Sequence, residues 1–293
     1  MSKIAVIIDS SAAIPAEKRN HYHLFQVDVP ILFGDETYLG DKDIHSLGQL
    51  VDMIKEKKVL PTTSQPTPGQ WEQALNDAKN AGYDQAVIIT LSSGISGAFQ
   101  TATLVAQGYE GMGRVEVLDS RLTNMGAGEQ AILASVLAEK GHDMDEILTK
   151  VAELRASLDV RFVVNDISHL QRTGRLSRGQ ALIGGLLNIK PLLAFDIEGD
   201  GKIGAVGRAR KMSGARLEIK TALDEYLRKI NYPVRAYVVD GNNPKLGDKW
   251  LKEFQTEYPA IQFERASMDP VIGVHTGDGG MALIWSRDWE SMV

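Results

Sequence analysis

Short apolar runs alternate along this chain with longer stretches of helical period. Ile4–Ile8, Gln26–Leu32, Ala86–Leu91 and Val115–Leu118 are apolar at mostly consecutive positions, as in strands of a sheet covered on both faces. Between them, Leu47–Lys57, Gln70–Ala81, Ala98–Gln107 and Gly126–Lys140 repeat with helical spacing. Pro68-Gly69 ahead of Gln70 predicts a helix start, with Thr67 as its N-cap. A further helix, Asp143–Leu158, follows, with Asp143 as N-cap and Gly141 closing the helix before it. This alternation predicts a parallel α/β domain over residues 1–158.

The chain restarts with the strand-like Arg161–Val164, which puts a domain boundary near Asp159. Beyond it Leu192–Asp196, Val234–Val239, Ile261–Phe263 and Ala282–Trp285 read as strands. Gly214–Ile230 and Leu246–Glu257 read as the helices between them. Residues 159–293 thus form a second α/β or α+β domain.

Composition narrows the function. A length of 293 residues suits two domains better than one core. A formal net charge of −6, without a basic run, argues against nucleic acid. The absence of cysteine excludes disulfides, thiolate catalysis and cysteine–zinc sites and fits a reducing compartment. The apolar start Ile4–Ile8 is too short for a signal h-region, and no run approaches the roughly 20 residues that span a bilayer. A cytoplasmic protein without stable membrane insertion is expected.

Two segments concentrate candidate chemistry. Pro61-Thr62-Thr63-Ser64-Gln65-Pro66-Thr67 and Thr90-Leu91-Ser92-Ser93-Gly94-Ile95-Ser96-Gly97 place hydroxyls and glycine at strand-to-helix junctions without one charged side chain. Hydroxyls and free backbone N–H groups at a helix N-terminus suit a ligand anion. The second segment is neither a G-x-S-x-G elbow nor a Walker loop, which leaves an anion seat or a capped turn. Asp9-Ser10-Ser11 ends the first strand, where the aspartate either faces a ligand, braces a loop or caps a turn. Asp119-Ser120-Arg121 reads as a turn. Gly126-Ala127-Gly128-Glu129-Gln130-Ala131 loosely matches a dinucleotide fingerprint, but its glycines fall inside the helix, where close packing explains them better.

His275 lies in Ile272–Gly280, a glycine-dense loop that would let a side chain approach a ligand closely. No histidine arrangement has metal-ligand spacing, so neither a metal nor a cofactor is expected. Leu170–Arg178 holds Arg172, Arg175 and Arg178, and Gly207–Lys211 adds Arg208 and Arg210. Such clusters address phosphate groups or acidic partner residues, or are solvated surface.

Taken in order, these segments resemble the DegV family, and within it the fatty-acid-binding subunits of bacterial fatty acid kinase (FakB). The matching stretches are Asp9–Ser11, Thr63–Thr67, Leu91–Gly97 and Asp119–Arg121, then Leu170–Ser177, Asn188–Pro191, Arg208–Lys211 and Gly273–Gly279. The resemblance implies two α/β domains, a parallel-sheet domain over 1–158 and a second over 159–293, with a fatty acid in an apolar tunnel between them. It implies Thr63, Ser64, Ser93 and His275 at the carboxylate, with Asp9, Ser10, Ser92 and Gly94 supporting the loops. It implies Arg172, Arg175 and Arg210 in docking a separate ATP-dependent kinase subunit (FakA-like), to which the carboxylate is presented for acyl-phosphate formation in phospholipid metabolism. The chain departs from the family pattern at Ala13, Thr173 and Asp278, the last placing a negative charge near the expected head group. Physical chemistry agrees with this reading. Each buried methylene contributes about 0.8 kcal/mol, so neutral hydroxyls need only orient the head group. The chain has no nucleotide loop, so the partner would supply phosphoryl transfer. The competing expectations are a serine hydrolase or acyltransferase using Ser93 or Ser96 with His275, and a regulatory protein with lipid as a structural ligand.

Overall fold

In the computed structural model, residues 3–40, 42–178 and 189–293 are described, Arg178 by its backbone alone. Asn188, the first residue of one motif above, therefore lies outside the described residues, as does the side chain of Arg178.

The first half builds a four-stranded, wholly parallel sheet in the order Leu24–Val27, Ile4–Asp9, Gln85–Thr90, Arg114–Asp119. Alternate side chains of its two central strands leave on opposite faces. Ala5, Ile7, Ala86 and Ile88 pack against Trp71 and Leu75 of the helix Pro68–Asn80 and Ala98 and Ala102 of the helix Ala98–Gly108. Val6, Ile8, Val87 and Ile89 join Ala127, Ala131 and Ala134 of the helix Met125–Glu139 on the other side. Covering on both faces is why these strands read as continuous apolar runs. The predicted caps are present: Thr67 and Asp143 each form a capping box, and Gly141 leaves its helix at φ +85°.

The single strand expected over Gln26–Leu32 is instead two. Leu24–Val27 ends the parallel sheet, whereas Pro30–Phe33 pairs antiparallel with Glu36–Leu39 and Thr62–Thr63 in a separate three-stranded sheet. Pro30 has no N–H to donate and begins its strand, which suits proline at the break between sheets. The small sheet carries Thr63 opposite Ile31.

Every described strand from Asp159 onward belongs to a mixed seven-stranded sheet. Its order is Gln262–Ser267, Val234–Asp240, Met281–Arg287, Asp159–Val163, Lys190–Phe195, Ile203–Ala209, Leu176–Arg178. The helices Met212–Leu227 and Pro244–Glu257 cover one face through Ala215, Ile219, Leu223, Trp250 and Phe254. The last two strands were not expected; Gly204, Gly207 and polar neighbours hide their period. Two expected loops are partly helical, Ser168–Arg172 and Pro270–Thr276.

The helix Met125–Glu139 is buried almost all round, because it meets side chains of both the parallel and the seven-stranded sheet in one continuous core. A Cβ on Gly126 would come within 1.9 Å of Leu122, and one on Gly128 within 3.2 Å of the Ala12 carbonyl, so these glycines serve packing.

Candidate functional site

The two halves line a cavity of ≈ 120 Å³. That is well beyond what one water needs and suits an elongated guest. Most of its lining is apolar: Val29, Leu91, Ile95 and Leu122 from the first half, Val160, Phe162, Phe195, Val239, Met268 and Ile284 from the second. Polar groups also reach it from Thr63, Ser64, Gln65, Ser96, Arg175 and His275.

Thr63 and His275, 212 positions apart, meet with Oγ1 2.8 Å from Nε2. His275 sits in the last turn of the helix Pro270–Thr276, not in a glycine loop, because Asp269 caps that helix and Pro270 occupies its first position. Burial, reinforced by Arg175 and Arg172, pushes the imidazole down to about pKa 3, so at neutral pH it carries one N–H and one lone pair and no charge. Among the described residues its buried Nδ1 has no hydrogen-bond partner.

Arg175 differs from its expected role in docking. Its side chain lines the cavity and Nε donates to the Ile95 carbonyl at 3.1 Å, while burial lowers its pKa. Among the described residues it has no carboxylate partner, which makes it a fixed positive charge beside neutral donors. Arg172 and Arg210 are exposed, and Arg172 only approaches the Pro61 carbonyl at 3.5 Å.

The serine–glycine loop is tied down by buried side chains. Asp9 accepts from the Leu91 amide at 2.7 Å with Oδ2 and from the Ser11 amide and hydroxyl with Oδ1. Burial raises its carboxyl pKa. Ser10 accepts from the Val29 amide at 3.0 Å. Ser92 donates to the Gly201 carbonyl at 2.7 Å and accepts from the Gly94 amide, tying the loop to the second half of the chain. A Cβ on Gly94 would stand 2.4 Å from the Asp200 carbonyl oxygen, so only glycine fits that approach.

Ser93 does not line the cavity. Its hydroxyl donates to Asp119, whose other oxygen accepts the Ser93 amide at 3.1 Å. The pairing spans 26 positions and could not be read from a local motif; Ser96 and Gly97 lie on the cavity instead. Asp278 is also displaced from its expected place. It is exposed, borders a different surface pocket, and engages Asn165 through its carbonyl.

Among the described residues His275 Nε2 faces Thr63 and Nδ1 meets no acid, so these residues do not assemble a nucleophile, base and orienting carboxylate. Among the described residues no group of three or more His, Cys, Asp or Glu side chains is placed to hold a metal ion, and no helix is long and apolar enough to cross a membrane.

A family profile described as an uncharacterised protein of the DegV family matches residues 3–288. A DegV domain-containing protein of Listeria innocua is 34% identical over 284 residues, covering 97% of this chain and 98% of its own. Among solved structures, the chain is similar to DegV of Bacillus subtilis, described as a fatty acid binding protein (TM-score 0.87, 32% identity, 98% of this chain and 100% of that one). It is similar also to a Thermus thermophilus DegV family protein described by its fatty acid binding (TM-score 0.89, 27% identity, 98% and 100% covered).

Proposed function

The chain belongs to the DegV family, and on that premise we propose that it holds a long-chain fatty acid in the cavity between its two halves. The observation that carries this reading is the union of an apolar lining with one set of polar groups, Thr63, Ser64, Ser96, His275 and Arg175. A tail gains about 0.8 kcal/mol for each methylene withdrawn from water, so most of the affinity comes from the tail. Neutral hydroxyl and imidazole donors orient the carboxylate, and Arg175 balances its charge at the cost of one buried ion pair rather than a cage of them.

In this reading the protein is a carrier. It presents the carboxylate to a separate ATP-dependent kinase that forms the acyl phosphate. The exposure of Arg172 and Arg210 supports their use in docking such a partner. Ser93 and Asp119 hold the loop rather than the ligand.

The binding step is tested by titrating delipidated protein with a long-chain fatty acid and with the alcohol of equal length. The acid is expected to bind and the alcohol to bind at least tenfold more weakly; equal binding would contradict a built carboxylate site. The presentation step is tested by adding a fatty acid kinase subunit, ATP and Mg²⁺ and trapping acyl phosphate with hydroxylamine. Trapped product that falls on substituting Arg172 and Arg210 with alanine supports docking there.

A further inference from the structure

Behind the cavity, on the other face of the seven-stranded sheet, lies a groove of ≈ 640 Å³. Among the described residues the two share a single lining residue, Phe195. The sheet is interrupted at that point. Asp159–Val163 and Lys190–Phe195 pair only through Val163 with Leu192 and Phe162 with Leu193. Beyond this, Asp159, Val160 and Arg161 pair with Met281–Arg287 on one side, whereas Ala194 and Phe195 pair with Gly204 and Ile203 on the other. Strands that stop exchanging hydrogen bonds leave a slot, and side chains must then close what the backbone ladder does not.

The rings of Phe162 and Phe195 stand there, their centroids 6.0 Å apart and tilted by 42°. Both line the cavity, but Phe195 alone also borders the groove. The groove is lined by charged side chains, among them Asp159, Arg161, Glu198 and Lys202, but also by Ala194, Val206 and Ala222, which offer a tail apolar surface, Val206 being 50% exposed. Beyond the slot, methylenes would still leave water.

We propose that Phe195 sets the upper length of the acyl chain. Its ring closes the slot between the two diverging strands and confines the tail to the cavity side. The proposal rests on the fatty-acid reading above. Removing the ring joins cavity and groove into one continuous channel. A fatty acid two methylenes beyond the wild-type limit should then bind about tenfold more tightly to Phe195→Ala than to the wild type, the effect of two newly accommodated methylenes.

The test loads delipidated wild type, Phe195→Ala and Phe195→Trp with an equimolar series of saturated fatty acids of graded length, and reads the bound species by native mass spectrometry. The expected result is a shift of the bound distribution to longer chains in Phe195→Ala and to shorter ones in Phe195→Trp. A folded, lipid-loaded Phe195→Ala with the wild-type distribution overturns the proposal. Should melting show that the alanine variant is unfolded, Phe195→Leu is read in its place, with a smaller shift in the same direction expected and an unchanged distribution overturning. If the wild type itself takes up no fatty acid, the binding reading fails and this proposal with it, a result distinct from loading with an unchanged length profile.

Discussion

Within the cavity, Thr63 and His275 form a neutral hydrogen-bonded pair, and both line the space a ligand would take. Thr63→Val keeps the shape and deletes the donor. Fatty acid affinity is expected to fall about five- to tenfold, near 1 kcal/mol, with little change in melting temperature; fluorescent fatty acid displacement measures the first and calorimetry the second. Ser93→Ala should show the opposite profile. It strips Asp119 of its hydroxyl donor and is expected to cost about 1–2 kcal/mol of stability while bound lipid is retained. A variant that lost its lipid but kept its stability would return Ser93 to the head group.

Glu129 supplies a pH prediction of its own. It is fully buried, with one oxygen accepting from Ser286 and the other unpartnered among the described residues, and burial pushes its carboxyl up to about 8. In the unfolded chain this acid titrates near 4.5. Because the folded value is raised, its contribution to stability is fully present below the unfolded value and is lost as pH rises through 8. Glu129→Gln removes that loss. The variant should therefore gain on the wild type between pH 5 and pH 8 by on the order of a few kcal/mol. Urea midpoints at the two pH values decide it; an equal difference at both would show that Glu129 is ionised inside the core.

Elements explain what the sequence disclosed and what it hid. Caps written within four residues, such as Thr67 with Gln70 and Asp143 with Glu146, were legible because both partners lie in one turn of helix. The strands of the parallel sheet were legible because both faces are covered. The helix carrying His275 was obscured by Gly273 and the glycines that follow it, although Asp269-Pro270 announces its start. The Ile203–Ala209 strand was missed because its glycines and Arg208 break the apolar period. Nothing local signals that the turn at Asp200-Gly201 closes over the serine–glycine loop, since that contact joins residues 109 positions apart. Gly94→Ala tests the closure: with a backbone oxygen 2.4 Å from the new Cβ, the two segments must separate. A loss of roughly 1–3 kcal/mol in denaturant unfolding is expected, and a neutral substitution would mean that the turn yields freely.

At the scale of the whole molecule, two sheets share one core across the helix Met125–Glu139, and the cavity is lined from both halves of the chain. The family resemblance located the loops that meet at the cavity, but not which side chains turn into it. Arg175 was expected to dock a partner and lines the cavity, while Ser93 was expected at the ligand and holds Asp119. Direction of a side chain depends on tertiary pairing, which neither spacing nor motif encodes. The central claim is that this cavity holds a fatty acid by its tail. Native mass spectrometry of the purified protein, followed by denaturing organic extraction, tests it most directly. A mass increment equal to one long-chain fatty acid, recovered in the extract and lost on delipidation, is the predicted result. Protein that carries no lipid as purified and takes up none when long-chain fatty acids are added would contradict the account.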